Sequence, residues 1–129
     1  MNNKYINIWQ DINIIELKNA FKKGNNVTQY LKEKLGVKYN TTEIIELAYD
    51  LQAGSYQEFV KKNKVAFNFF MAEVSSIMSN YVTSGFTLLD AGCGELTSLS
   101  AIVKILKNKP KKVFAYDLSW SRIYSGLKY

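Results

Sequence analysis

The sequence predicts an α/β chain, with a helical region over residues 1–82 and the start of a parallel sheet over residues 83–129. Two observations support this division. Apolar residues recur at helical spacing through most of the first region. The second region holds a short apolar run, a glycine turn, a helical segment and a second apolar run that ends in Asp117. Strand–helix–strand units have right-handed crossovers, so we expect two parallel neighbouring strands.

Three short helices are predicted in the first part of the chain. The first has a broad apolar face, with Asp11 as a candidate cap and Gly24 as a stop. The second runs from about Thr28 to Leu35 and ends at Gly36. The third follows Asn40-Thr-Thr-Glu43, a candidate capping box in which the Asn and Glu side chains satisfy opposing backbone donors.

A long amphipathic helix is predicted from about Tyr56 to Tyr81. Its apolar residues recur at helical spacing and are Val60, Phe67, Phe70, Met71, Val74, Ile77, Met78 and Tyr81. The stripe has a gap at Asn63 and Lys64, within the first turns. A stripe this regular predicts a face that packs against a core.

The remaining elements belong to the predicted sheet. The apolar run Phe86–Ala91 predicts a strand that is covered on both faces. Thr97 is the predicted N-cap of a helix that continues to about Lys107. Lys112–Asp117 predicts the second strand, and Ser119 is a candidate cap for a further element. Together they predict the first β-α-β unit of a doubly wound, Rossmann-like sheet, truncated after two strands.

Composition excludes several kinds of chemistry. The 129 residues include no histidine, which excludes Ser-His-Asp and Cys-His catalysis and the common His-containing zinc sites. Cys93 is the only cysteine, so it cannot form an intrachain disulfide or a structural metal site. We therefore expect no metal.

Charge and hydropathy bear on partners and location. The net charge of +6 comes from lysines spread along the chain, with the densest group at residues 104–112. Cations at the end of a helix complement its dipole, so we interpret this group as solvated surface and disfavour nucleic acid as a partner. The polar start lacks a secretory signal, and no segment is apolar enough to span a bilayer. With a lone cysteine, a cytoplasmic setting is expected.

The glycine turn predicts a binding site. Gly92 and Gly94 permit close approach of the backbone, and the turn leads into a helix N-terminus that attracts anions. Asp117 should face the same crevice and can accept hydrogen bonds from ribose hydroxyls. Asp90 and Glu95 in the turn oppose a pyrophosphate, so a dinucleotide is disfavoured. S-adenosylmethionine, with a ribose, an amino acid part and a cationic sulfonium, suits these carboxylates better.

Two motifs carry a family resemblance. Leu89-Asp-Ala-Gly-Cys-Gly94 resembles the first signature motif of class I S-adenosylmethionine-dependent methyltransferases, and Tyr116-Asp-Leu-Ser119 resembles their acidic second motif. The resemblance covers about residues 86–123, under a third of the chain. One departure is Leu96, which stands where the family usually has a small residue.

The resemblance implies roles for individual residues. Gly92 and Gly94 would line the methionine part of the cofactor, and Asp90 would order the turn. Asp117 would hold the ribose and Leu118 would touch the adenine. The complete set of expected cofactor-binding residues is Asp90, Gly92, Cys93, Gly94, Glu95, Asp117 and Leu118.

Several assignments stay open at the level of sequence. Tyr49, Gln52 and Tyr56 are further candidates to close the cofactor site, although packing between helices explains them as well. Cys93 is interpreted as a small turn residue, because no base is available to activate its thiol. The sequence names no catalytic residue.

The resemblance implies the N-terminal part of a methyltransferase, with a small molecule or glycan as the methyl acceptor and little or no activity alone. Two strands are seldom stable alone, so we expect a homodimer or association with the remainder of a longer chain. One alternative is a non-catalytic helical dimerisation module with a degenerate turn. Another is a nucleic-acid methyltransferase.

Overall fold

A computed structural model of the protein describes residues 12–128, which fall in two compact units. The units divide after Leu51. The two helices that follow Leu51 therefore belong with the sheet, whereas the sequence grouped them with the upstream helices.

The first unit consists of helices α1 (Ile14–Lys22), α2 (Val27–Leu35) and α3 (Thr42–Leu51). Their amphipathic faces bury one apolar core, which comprises Ile12, Leu17, Val27, Leu31, Ile44, Leu47 and Ala48. Gly36 ends α2 with φ 65°, a left-handed conformation that glycine adopts without a steric cost. The sequence predicted this stop.

Two helix caps in this unit differ from the prediction. Asp11 lies outside the described residues, and Asn13 caps α1 by accepting hydrogen bonds from the N–H groups of Ile15 and Glu16. For α3, the hydroxyl of Thr41 accepts from the N–H of Ile44 at 3.3 Å, so Thr41 has the role predicted for Asn40. In both cases a side-chain oxygen accepts from an N–H group of the first turn, which is the usual form of an N-cap.

The second unit begins with helices α4 (Ser55–Lys62) and α5 (Lys64–Ser79). The predicted single helix from Tyr56 to Tyr81 is therefore wrong in one respect, since Asn63 takes a non-helical conformation (φ −119°, ψ 33°) and separates the two. The Asn63 amide donates to the carbonyl of Phe59 at 2.9 Å, which stabilises this break. The gap in the apolar stripe marks its position.

A two-stranded parallel sheet follows, made of β1 (Thr87–Ala91) and β2 (Lys112–Tyr116) and connected by helix α6 (Thr97–Ile105). Helix α7 (Trp120–Leu127) comes last, and the hydroxyl of its N-cap Ser119 accepts from the N–H of Arg122. The parallel pairing and the Ser119 cap are confirmed. The N-cap of α6 is Leu96, and Thr97, predicted to cap this helix, is its first residue.

Burial of the strands differs from the prediction. The sequence predicted a first strand covered on both faces, but Leu89 is 61% exposed and its neighbour in register, Phe114, is 55% exposed. All five residues of β2 are exposed. The described residues therefore cover only one face of β1, and that in part, and they leave the face of Leu89 and Phe114 open. Among residues 12–128, no helix is both long and apolar enough to cross a membrane.

Candidate functional site

The glycine turn joins β1 to α6 and folds over the end of β2. Gly92 (φ 81°) and Gly94 (φ 52°) both have left-handed conformations that a larger residue adopts only with strain. The N–H groups of Gly92 and Cys93 both donate to the carbonyl of Tyr116, at 2.8 and 3.1 Å. The last residue of β2 therefore fixes the path of the turn.

Asp117 follows β2 directly and lies against the turn. Its Oδ2 accepts a hydrogen bond from the N–H of Gly94 at 2.8 Å, and its Oδ1 accepts from the N–H of Ser119 at 2.9 Å. A carboxylate offers about four acceptor positions. Two of them hold the turn and the start of α7, so each oxygen retains a lone pair for a further donor.

The carboxylate of Glu95 is buried in the fold and does not face solvent. This residue is 1% exposed, and its two oxygens accept from the N–H groups of Gly54 and Gln57, both at 3.0 Å. These donors belong to the N-terminus of α4, whose N-cap Gly54 has no side chain to supply a cap. A carboxylate is stabilised at the positive end of a helix. Glu95, which the sequence grouped with the cofactor-binding residues, thus caps α4.

Helix α7 packs against the same backbone through Arg122 and Gly126. The Nε of Arg122 lies 3.7 Å from Oε1 of Glu95. A Cβ atom added to Gly94 would lie 3.0 Å from Nη2 of Arg122, and one added to Gly126 would lie 2.5 Å from the carbonyl oxygen of Glu95. Gly126 therefore permits a contact between α7 and the turn that no other residue type allows.

Leu96 has the strained backbone conformation in the turn. Its φ of 58° makes it the only non-glycine with positive φ among residues 12–128. For a residue with a Cβ this conformation costs roughly 1–2 kcal/mol. The position is also the one at which the chain departs from the methyltransferase pattern.

The other predicted turn residues lie close to these groups. Asp90 is half-buried near the end of β1, and Leu118 is 44% exposed beside Asp117. Burial, together with the carboxylates of Asp117 and Asp90, raises the pKa of the Cys93 thiol. The thiolate is disfavoured, which argues against a nucleophilic role for Cys93.

The three candidates from the upstream helices have different surroundings. Tyr49 lies on α3 in the first unit and is exposed. Tyr56 stacks on Phe59 at a ring distance of 5.9 Å and packs within the apolar core of the second unit. The carbonyl of Gln52 accepts from the N–H of Ser55 at 2.9 Å, in the turn before α4. Tyr56 is therefore a packing residue.

Three members of this cluster, Gly54, Gln57 and Arg122, were missed by the sequence analysis. Gly54 and Gln57 contribute through backbone N–H groups, which any residue type possesses, and they precede Glu95 by 41 and 38 positions. A glycine directly before a helix without a capping side chain was the available signal for an external cap.

The turn and Asp117 form a polar cluster held together by hydrogen bonds. No group of three or more potential metal ligands occurs within residues 12–128. The N–H groups of Gly92, Cys93 and Gly94 all donate within the fold, so the turn does not present them to a diphosphate. The carboxylates of Asp90 and Asp117 give the turn negative charge.

Comparison of the chain with models of protein families, with curated proteins and with solved structures found no match.

Proposed function

We propose that the chain is the N-terminal part of a cytoplasmic S-adenosylmethionine-dependent methyltransferase with a Rossmann-like sheet. Its role is to hold the cofactor, its methyl acceptor is a small molecule or glycan, and its activity alone is little or none. One observation carries this proposal. The carboxylate after β2 and the glycine turn after β1 are joined by a 2.8 Å hydrogen bond, so two motifs separated by more than 20 residues lie in contact.

The residues around the turn and Asp117 fit the chemistry of S-adenosylmethionine. Asp117 retains acceptor capacity for ribose hydroxyls, and Leu118 offers exposed apolar surface for a purine. Nothing lies within 4 Å of the Cβ position of Gly92, which leaves room beside the turn. The negative charge of Asp90 and Asp117 favours a sulfonium cation over a diphosphate.

The bound cofactor would supply an electrophilic methyl group. The contribution of the chain is to bind and orient it, which is where much of the catalysis of a two-substrate transfer originates. The buried Glu95 and the partly buried Arg122 serve this indirectly, because they hold α4 and α7 against the backbone of the turn.

Calorimetric titration with S-adenosylhomocysteine tests the proposal. We expect Asp117→Asn to weaken binding about tenfold or more, because hydrogen bonds to a charged group contribute roughly 1.5–3 kcal/mol. Glu46→Gln is the matched control, since it removes a carboxylate charge at an exposed position in the first unit.

Because Asp117 also accepts two internal hydrogen bonds, its variant needs a second test of the same site. Leu118→Ala removes the exposed apolar surface beside it at little cost to the fold and should also weaken binding. Thermal melting establishes that each variant is folded. Unchanged affinity in both variants contradicts the proposal. So does a failure of both the chain and a longer protein containing it to bind the cofactor or its demethylated product.

The alternative of a non-catalytic helical dimerisation module is favoured by two observations. Leu96 is strained at the position where the family has a small residue, and Glu95 is committed to α4. If the chain is such a module, Asp117→Ala leaves self-association unchanged, and the cofactor binds neither to this variant nor to the unaltered chain.

A nucleic-acid methyltransferase is less favoured. The Lys109 ammonium donates to the carbonyls of Val103 and Lys104 at 2.8 Å each, so part of the basic group caps the end of α6. Retention of RNA or DNA that falls steeply with added salt would support this alternative.

A further inference from the structure

A groove of about 580 Å³ lies between α6 and the junction of α4 with α5. The volume is within the range of roughly 300–1,000 Å³ that is typical of small-molecule sites. The residues that line it are Val60, Lys61, Lys64, Phe67, Asn68, Thr97, Ser100, Ala101, Lys104 and Ile105. We call this the lysine-rimmed groove.

All the charged side chains that line the groove are cationic. Three lysines from three different helices converge on it, and no lining residue is a carboxylate. Lys61 is already paired with Glu58, at 2.8 Å. Lys64 and Lys104 therefore supply most of the attraction for an anion.

The floor of the groove is apolar. Val60 and Phe67 are buried members of the core of the second unit, and Ala101 packs against them. Ile105 remains 46% exposed on the same side. The groove therefore combines cationic groups at its rim with apolar surface below, a combination that suits a ligand with an acidic head and a hydrocarbon tail.

We propose that the lysine-rimmed groove binds a fatty carboxylate of medium chain length. The carboxylate pairs with Lys64 and Lys104, while the hydrocarbon chain covers Val60, Phe67 and Ala101. The hydroxyl of Ser100, which is half-buried, provides a further polar contact. This proposal does not depend on the methyltransferase assignment, because none of these residues belongs to the turn or to its acidic partner.

Calorimetric titration with sodium decanoate tests the groove. We expect decanoate to bind, and acetate and decyltrimethylammonium each to bind at least about tenfold more weakly, because one lacks the tail and the other reverses the charge. Affinity should decrease with added salt. Equal binding of decyltrimethylammonium would overturn the proposal.

Two double variants locate the binding. Lys64→Glu with Lys104→Glu should reduce decanoate affinity about tenfold or more. Lys38→Glu with Lys107→Glu makes the same change of net charge at exposed positions outside the groove and should leave the affinity within about twofold. Equal affinity in the two double variants, both folded by circular dichroism, or no binding by the unaltered protein, would overturn the proposal. Titration with S-adenosylhomocysteine in the same variants should be unchanged.

Discussion

At the scale of single residues, Leu96 shows how the turn is held in shape against local preference. Its left-handed backbone is imposed from both sides, because the N–H of Leu96 donates to the carbonyl of Cys93 and its own carbonyl accepts from Ser100. Glycine would adopt this conformation without a steric cost. The half-buried leucine side chain is the feature that a glycine would lack.

Comparison of Leu96→Gly with Leu96→Ala isolates the strain, because both variants lose the leucine side chain. We expect the glycine variant to be the more stable of the two by about 1 kcal/mol. In a typical helix or strand the order is reversed, with glycine less stable by roughly 0.5–1 kcal/mol. Chemical denaturation of the two variants measures the difference. A more stable alanine variant would show that the turn does not impose a positive φ.

The sequence allowed the juxtaposition of Asp117 and Gly94 to be anticipated, because both follow the carboxyl ends of adjacent parallel strands. It did not allow the role of Glu95 to be anticipated. A carboxylate in a glycine turn has the same appearance whether it faces a ligand or a helix N-terminus. Its partners are backbone donors in a distant segment, which carry no signature of their own.

At the scale of elements, the contact between α7 and the turn depends on one glycine. Gly126 occupies a helix, where alanine would normally be more stable by about 1 kcal/mol. Here the added methyl would meet the main chain of Glu95, which the buried cap of α4 holds in place.

We therefore expect Gly126→Ala to lower the free energy of unfolding by about 1–3 kcal/mol, the usual effect of overpacking. Leu127→Ala, in the same helix but 69% exposed, should have little effect. Urea denaturation of both variants measures this. A Gly126→Ala protein as stable as the unaltered one would mean that α7 is not held against the turn.

The helices themselves were largely predictable from periodicity and stop signals, as the end of α2 at Gly36 illustrates. The break between α4 and α5 was visible only as a gap in the apolar stripe, because asparagine is compatible with a helix. Its local side-chain bond to the carbonyl of Phe59, four residues back, is a choice of conformation that the residue type does not dictate. The exposure of β1 was not predictable, since an apolar run is the same whether or not other elements cover it.

At the scale of the whole molecule, the open face of the sheet has consequences for association. Leu89, Phe114 and Tyr116 are each more than half exposed, and β2 has no exposed-to-buried alternation at all. Apolar surface of this kind marks sites of association. Two copies that pack these faces together about a two-fold axis would bury Phe114 of each copy.

We expect the isolated chain to form a homodimer, or to need the remainder of a longer protein to cover this face. Sedimentation velocity at micromolar concentration should show a dimer, and Phe114→Glu should shift it toward monomer. Phe69→Glu places the same charge on an exposed phenylalanine of α5 and should leave the dimer intact. A monomer of the unaltered chain that melts cooperatively would contradict both versions.

The cap that Glu95 supplies to α4 links the fold to the order of its synthesis. Gly54 is added to the growing chain 41 residues before Glu95, so the first turn of α4 is synthesised before its acceptor. Until the turn after β1 has been translated, those backbone donors can be satisfied only by water. Capping of α4 is thus coupled to formation of the glycine turn. A nascent chain that stalls before Glu95 leaves the first turn of this helix without its cap.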